Sequence, residues 1–191
     1  MKQLDFSFKN KLRPRPGVLL LSDPFSQEDY FTRSVVLLCE HNENGSFGLV
    51  LNNYIDIKLH QLDANFPQTE NAVSIGGPVD EQSIYYLHSF GDSIADSLFV
   101  DDHISFGGDF EQVKKSLVES TSGKVLFFLG YSGWSPGQLN EELSLNSWLV
   151  VNNIPLTEVY NQHTDLWKYC MEKQGGQFRV MSNFPINPQS N

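Results

Sequence analysis

The stretch Lys124–Val151, KVLFFLGYSGWSPGQLNEELSLNSWLVV, decides the fold. It reads as strand, glycine turn, helix, strand. Val125 to Leu129 is an uninterrupted apolar run, the pattern of a strand buried on both faces. Gly130 and Gly133 bracket Tyr131 and Ser132. They predict a sharp turn, because glycine permits positive φ and close backbone approach. Ser135, Pro136 and Gln138 then spell a helix start: an N-cap, a first helical position and the far partner of a capping box. Leu139 and Leu143 share a face, with Glu141 and Glu142 turned to solvent. Asn146 is placed to end the helix in a left-handed conformation, and Trp148–Val151 runs as a second strand. Free N–H groups at a helix start attract anions. Here Ser135 and Gln138 already satisfy those donors, which favours a scaffold role.

Outward from this stretch the strands are short. Towards the N-terminus, Val18–Leu21 and Ser34–Cys39 are apolar strands. Between them Ser22-Asp23-Pro24 forms a turn and Gln27–Thr32 a helical turn. Asn44-Gly45 joins Ser34–Cys39 to Phe47–Leu51 as a hairpin, with the positive φ of a type I′ turn expected at its centre. Ile57–Leu62 is a short helix, Asn65–Asn71 a loop, and Val73–Ile75 a strand ending in Gly76-Gly77-Pro78. Ile84–His88, Leu98–Val100 and Ile104–Phe106 are further strands. A helix follows over Asp109–Glu119, capped by Asp109 with Gln112 three residues on. Pro155–Gln162 is a loop or helical turn. The last helix covers Thr164–Gln174, capped by Thr164 and stopped by Gly175-Gly176. Residues 1–16 form an N-terminal arm, 17–176 a single domain, and 177–191 a tail rich in proline and asparagine. Strands that follow one another without intervening helices exclude a doubly wound parallel sheet. The expected class is α+β with a mixed, mainly antiparallel sheet and a few packed helices.

The chain has 191 residues, enough for one substantial core, and its 14 Phe and 7 Tyr supply large apolar side chains. Its formal net charge of −10 disfavours nucleic acid and anionic lipid as partners. No apolar run reaches the roughly 18 residues of a membrane-spanning helix, and the N-terminus lacks a signal peptide's apolar centre. We therefore expect a cytoplasmic protein. The two cysteines, Cys39 and Cys170, are widely separated and form no zinc-binding pattern.

FLGYSGWSPGQLNEEL followed by NSWLV resembles the signature of the AlgH/YqgE family of bacterial proteins. The likeness extends to PGVLLLSDPF at Pro16–Phe25, RSVVLLCEHNENGSFGLVLN at Arg33–Asn52 and IGGPV at Ile75–Val79. Together these cover most of the chain in the family's order. The resemblance implies a strongly bent sheet closing towards a pseudo-barrel, a cytoplasmic location and a regulatory role, since one family name derives from control of alginate synthesis. It implies no agreed chemistry, and the two ends of the chain depart from the family's common pattern.

The chain contains no phosphate-loop, dinucleotide or zincin motif. Gly130-Tyr131-Ser132-Gly133-Trp134 fails as a nucleophile elbow, because Trp134 stands where the last glycine belongs. Neighbouring strand residues face opposite ways, so Glu40 and His41 do not share a site. Asp101-Asp102-His103 reads as a solvated turn. No catalytic, metal or cofactor residues are assigned. The candidate site is instead a ligand cleft built where two strands end. Gly76, Gly77 and Pro78 end one, and Tyr131, Gly133 and Trp134 end the other, with Gln138, His88 and Arg33 nearby. The competing reading is that the glycines serve tight packing and the aromatics are core. The expected function is non-enzymatic binding or indirect regulation, with a small molecule, a peptide or another protein as partner. The alternative is an enzyme using a cleft histidine as base, and direct DNA binding ranks last. The sequence does not fix the oligomeric state.

Overall fold

A computed structural model describes residues 8–26, 30–62, 64–66, 72–119, 123–161 and 165–185. Its order is β1 (Leu19–Ser22), β2 (Val35–Asn42), β3 (Gly45–Val50), β4 (Tyr54–Ile55), α1 (Leu59–Leu62), β5 (Val73–Ile75), β6 (Val79–His88), β7 (Leu98–Asp101), β8 (Ile104–Phe106), α2 (Phe110–Glu119), β9 (Val125–Trp134), α3 (Gln138–Ser144), β10 (Trp148–Val151), α4 (Leu166–Gln174) and α5 (Gly176–Met181). The sheet runs β10-β1-β2-β3-β9-β6-β8-β7, with β4 and β5 attached beside β9. Every pairing is antiparallel except β5 with β9. The class is α+β, with five α-helices among the described residues and a large, mainly antiparallel sheet. The path is open: β10 and β7 end it and do not pair with each other among the described residues.

The central strand differs from its expected form. There is no turn at Gly130–Gly133, because β9 continues to Trp134. Gly130, at φ +67°, bends the strand instead of ending it. On one edge of β9, Val73–Ile75 of β5 pair with Phe127–Leu129, and Ser46–Gly48 of β3 pair with Ser132–Trp134 beyond the bend. On the other edge Val79 faces Tyr131 and Ile84 faces Leu129. Asp80 to Ser83 are therefore a wide insertion opposite Gly130 alone, and Asp80 sits at φ +52°. The Asp80 to Ser83 bulge also extends β6 five residues ahead of the predicted Ile84 start.

Gly76 lies where β3, β5 and β9 meet. Its N–H donates to Leu129 O at 2.8 Å, and its carbonyl accepts from Val50 N at 2.9 Å and Ser132 Oγ at 3.0 Å. A Cβ on Gly76 would lie 2.3 Å from Gly130 O, and one on Gly130 would lie 2.6 Å from Gly77 O. The glycines of the two motifs are packed against each other, backbone to backbone.

Three apolar clusters hold this arrangement. The largest joins Leu19, Leu37, Leu49, Phe128 and Val151 to Trp167 and Cys170 of α4. A second, on the opposite face of β1–β3, packs Val36, Leu38 and Val50 against Trp134, Trp148 and Leu139 of α3. The third lies beneath α1 and α2 around Phe127, Val73 and Val113. Both cysteines are buried thiols, and burial pushes that of Cys170 up to about 12.

Other expectations change in detail. The Asn-Gly hairpin exists, but Asn42 pairs with Gly45, so Glu43 and Asn44 form the loop and neither has positive φ. The turn is set by Asn42, whose Oδ1 accepts from Asn44 N at 2.8 Å. Gly45 is required because a Cβ there would lie 2.5 Å from Trp134 O. α3 starts later than predicted, with Gly137 as N-cap at φ +82°. Half of the predicted capping box survives, as Gln138 Oε1 accepts from Ser135 N at 3.0 Å. Asn146 closes α3 at φ +61°, as the sequence indicates. α2 is capped by Asp109, which accepts from Gln112 N at 3.0 Å. α4 is capped by Asp165, which accepts from Lys168 N at 2.9 Å. The expected caps and turns at Thr164 and at 27–29, part of the Asn65–Asn71 loop, and residues 1–7 and 186–191 lie outside the described residues. The predicted tail opens with α5. The arm is held at β10: Asn10 Nδ2 donates to Trp148 O and its Oδ1 accepts from Val150 N, both at 2.8 Å.

Candidate functional site

The bend in β9 and the bulge in β6 open a groove of about 650 Å³ on one face of the sheet. Alternation along each strand puts Phe47 of β3, Tyr131 of β9 and Tyr85 of β6 on this face, and Phe106 of β8 joins them. The four rings form one cluster. Phe47 lies 4.9 Å from Phe106 and 6.1 Å from Tyr131, and Tyr85 lies 5.4 Å from Tyr131 and 6.1 Å from Phe106. All four are partly buried. The end of the β2–β3 hairpin adds Glu40 and Asn42 at the lip, and the Asn42 amide donates to the Glu40 carboxylate. At the bulge, the Tyr85 hydroxyl donates to Asp80 Oδ2 at 2.7 Å. Burial, followed by the nearby Asp80, pushes the Tyr85 phenol up to about 12, while the same hydrogen bond holds the Asp80 carboxyl below its usual range.

A second depression of about 630 Å³ lies on the opposite face, between β1, α3 and β10. Its centre is Glu142. One carboxylate oxygen accepts from Trp134 Nε1 at 2.8 Å and Trp148 Nε1 at 2.7 Å, and the other accepts from Gln138 Nε2 at 2.9 Å. Glu142 is thus turned into the protein, against the expectation that it faces solvent. Its acceptors are occupied by groups that pin α3 to the sheet. Burial raises the Asp23 carboxyl at the edge of this depression.

The predicted site residues do not form one cleft. Tyr131 lines the aromatic groove, while Pro78 and Gln138 border the second depression. Gly133 and Trp134 border both, and the Trp134 side chain is only 6% exposed. Gly76 and Gly77 are buried in the strand junction, where they serve packing. Arg33 is elsewhere: its guanidinium stacks 5.0 Å from the Trp167 ring and donates to Phe184 O. His88 is fully buried, away from the groove. Its Nε2 lies 3.0 Å from Ser97 Oγ and 3.1 Å from Gly107 O, and Nδ1 accepts from Phe90 N at 3.3 Å. Burial lowers its pKa, with the Gly107 bond opposing. His41 pairs with Ser46 Oγ at 2.7 Å, and strand alternation turns it away from Glu40. Asp101 takes N–H bonds from His103 and Ile104, as a turn should.

The sequence reading missed Glu40, Phe47, Tyr85 and Phe106. The hairpin carried part of the signal, since it makes Glu40 and Phe47 cross-strand partners. The bulge that brings Tyr85 to them left no pattern to read.

The AlgH-like family (DUF179) matches residues 19–179. A UPF0301 protein of Parabacteroides distasonis is 38% identical over 187 residues, 95% of this chain and 94% of its own. Among solved structures, a protein from Corynebacterium diphtheriae superposes with a TM-score of 0.73 at 26% identity, covering 93% of this chain and 95% of that one. The AlgH protein from Pseudomonas aeruginosa superposes with a TM-score of 0.69 at 25% identity, covering 92% and 98%.

Proposed function

We propose, for a chain that belongs to the AlgH-like family, that it is a non-enzymatic binding protein whose ligand lies in the aromatic groove between β3, β9 and β6. One observation carries this reading: four rings from four separate strands converge on a single concavity that also presents a carboxylate and amides. Concavities of this size with apolar walls and few polar groups are typical of ligand sites. The groove's lining contains no histidine or cysteine among the described residues, so the alternative of a histidine base has no group placed here to act. Regulation through a protein partner, in the cytoplasm, belongs to the same proposal. The free thiols support that location, because disulfides persist in oxidising compartments. The formal net charge of −10 speaks against direct contact with DNA. We infer too that the sheet bends towards a barrel. A single apolar cluster that combines Leu19 and Val151 from one end of the path with Val100 and Ile104 from the other supports it.

The test is a thermal-shift screen of metabolites, nucleotides and short peptides at concentrations up to millimolar, on wild type and Tyr131→Leu. Stabilisation grows as RT ln(1 + [L]/Kd), so weak ligands require high concentration. A compound that stabilises wild type and loses its effect in the variant supports the reading. A compound that shifts both proteins equally, or no shift across the library, overturns it.

A further inference from the structure

We infer that the aromatic groove takes an organic cation, an alkylammonium or guanidinium group, an inference that rests on the groove being a binding site. The groove's lining residues include Phe47, Tyr85, Phe106 and Tyr131, and the carboxylate of Glu40, but no lysine, arginine or histidine among the described residues. The face of an aromatic ring is its negative pole, and a cation within about 6 Å of a ring centroid is attracted to it. The rings are not all parallel, with interplanar angles of 80° for Phe47 with Tyr131, 76° for Tyr85 with Tyr131, 59° for Phe47 with Phe106 and 17° for Tyr85 with Phe106, so their faces are turned in more than one direction.

Two carboxylates complete the charge match. Glu40 stands at the lip, and its orientation is set by the hairpin. The Asn42 amide donates to it, while Asn42 Oδ1 is held by Asn44 N. Asp80 stands behind Tyr85, accepting from its hydroxyl. That bond draws the phenol's proton towards the carboxylate and leaves more negative charge on the ring. Asp80 is kept in a positive-φ conformation that aspartate tolerates at some cost, inside an insertion of β6 that no strand pairing requires. An anion would meet the Glu40 carboxylate and the ring faces, with only neutral amides and hydroxyls, those of Asn42, Asn44, Ser46 and Ser135, to receive it. A hard metal ion would lack the six or more oxygen ligands that calcium takes. An organic cation satisfies both the rings and the acids, and the net charge of −10 would speed its approach.

The same chemistry can come from a free amine or from a lysine or arginine in a polypeptide, and the experiment separates them. Isothermal titration would use choline and agmatine, 3,3-dimethylbutanol as the uncharged isostere of choline, and capped hexapeptides carrying Lys or Arg with Gln-substituted controls. The proteins would be wild type, Glu40→Gln, Tyr131→Leu and Glu141→Gln, the last altering an exposed acid away from the groove. The expected result is that the cations bind roughly tenfold or more tightly than the uncharged isostere, from a cation–π and charge contribution of the ordinary size. Glu40→Gln and Tyr131→Leu should each weaken binding several-fold, and Glu141→Gln should not. Affinity should fall as salt is raised, because exposed charges are screened. Tighter binding of the Lys or Arg peptide than of the free cation assigns the partner to a polypeptide, and the reverse assigns it to a small amine. Equal binding of choline and dimethylbutanol, both sensitive to Tyr131→Leu, overturns the cation inference while leaving the groove as a site. Absence of binding by every cation and peptide overturns it as well. The library screen above then decides separately whether the groove binds anything.

Discussion

Gly76→Ala and Gly137→Ala separate two reasons for a glycine, and the structure gives them different costs. At Gly76 φ is ordinary, but a Cβ would lie 2.3 Å from Gly130 O, 2.9 Å from Leu49 Cδ2 and 3.2 Å from Phe128 Cβ. Real Cβ contacts essentially never fall below 3.0 Å, so β5 and β9 must part by at least 0.7 Å. The closest atom is a backbone carbonyl inside the sheet, and it cannot swing away. Parting the strands strains the bonds from Gly76 N to Leu129 O and from Val50 N and Ser132 Oγ to Gly76 O. At about 1 kcal/mol for each of the three weakened bonds and 1–3 kcal/mol for overpacking, the loss comes to roughly 4–6 kcal/mol. For a chain of this size that lowers Tm by roughly 8–24 °C. Gly137 is the control: it sits at φ +82° with nothing within 4 Å of a built Cβ. Alanine there meets only the left-handed penalty of about 1–2 kcal/mol, part of which is offset by the reduced freedom of the unfolded chain. Urea unfolding of both variants measures the difference. If Gly76→Ala is as stable as Gly137→Ala, the close docking of the two glycine motifs is wrong.

Three further outcomes follow from the same geometry. His88 is buried with its Nδ1 already accepting, so protonation must break the bond from Phe90 N. Its folded pKa is lowered, so the unfolded chain binds the extra proton more readily. The stability that His88 contributes is therefore present above about pH 6.5 and lost as pH falls below it, a slope of Tm between pH 7 and 5 that His88→Gln should flatten. Glu142→Ala leaves the indole N–H groups of Trp134 and Trp148 without their acceptor, which should cost roughly 2–4 kcal/mol in urea unfolding and shift the tryptophan emission. Asn10→Ala removes both amide bonds to β10, and hydrogen exchange should speed up at Val150 with a loss of about 1–2 kcal/mol overall.

The strands were largely legible because burial leaves a plain trace. LLLS, VVLLC and WLVV are apolar runs, and each became a strand buried on both faces. Caps were legible where one side chain decides them, as at Asp109 and Asn146. They failed where neighbours compete, as at Ser135, where Pro136 and Gly137 take the turn and Gly137 becomes the cap. The glycines of GYSGW were read as a turn because positive φ is their usual reason. Here Gly130 has that φ inside a continuous strand. Its second role, clearance for Gly77, depends on a residue more than fifty positions away that no local pattern reveals.

The groove escaped the sequence for the same cause that produced it. At 76, 77 and 130 the backbones approach too closely for side chains, so β5 and β9 lock together and β9 bends. On its other edge β6 then meets one residue of β9 with four of its own. That excess lifts Asp80 and aims Tyr85 towards the β2–β3 hairpin, where Glu40 and Phe47 wait opposite each other. Gly76, Gly77 and Gly130 therefore shape the groove without lining it. This links the two sets of measurements. Gly76→Ala, which touches no groove residue, should weaken cation binding by letting β6 relax, whereas Gly137→Ala should leave it unchanged. Titration of a folded Gly76→Ala sample, with wild-type affinity as the contrary result, tests whether the junction and the groove are one device.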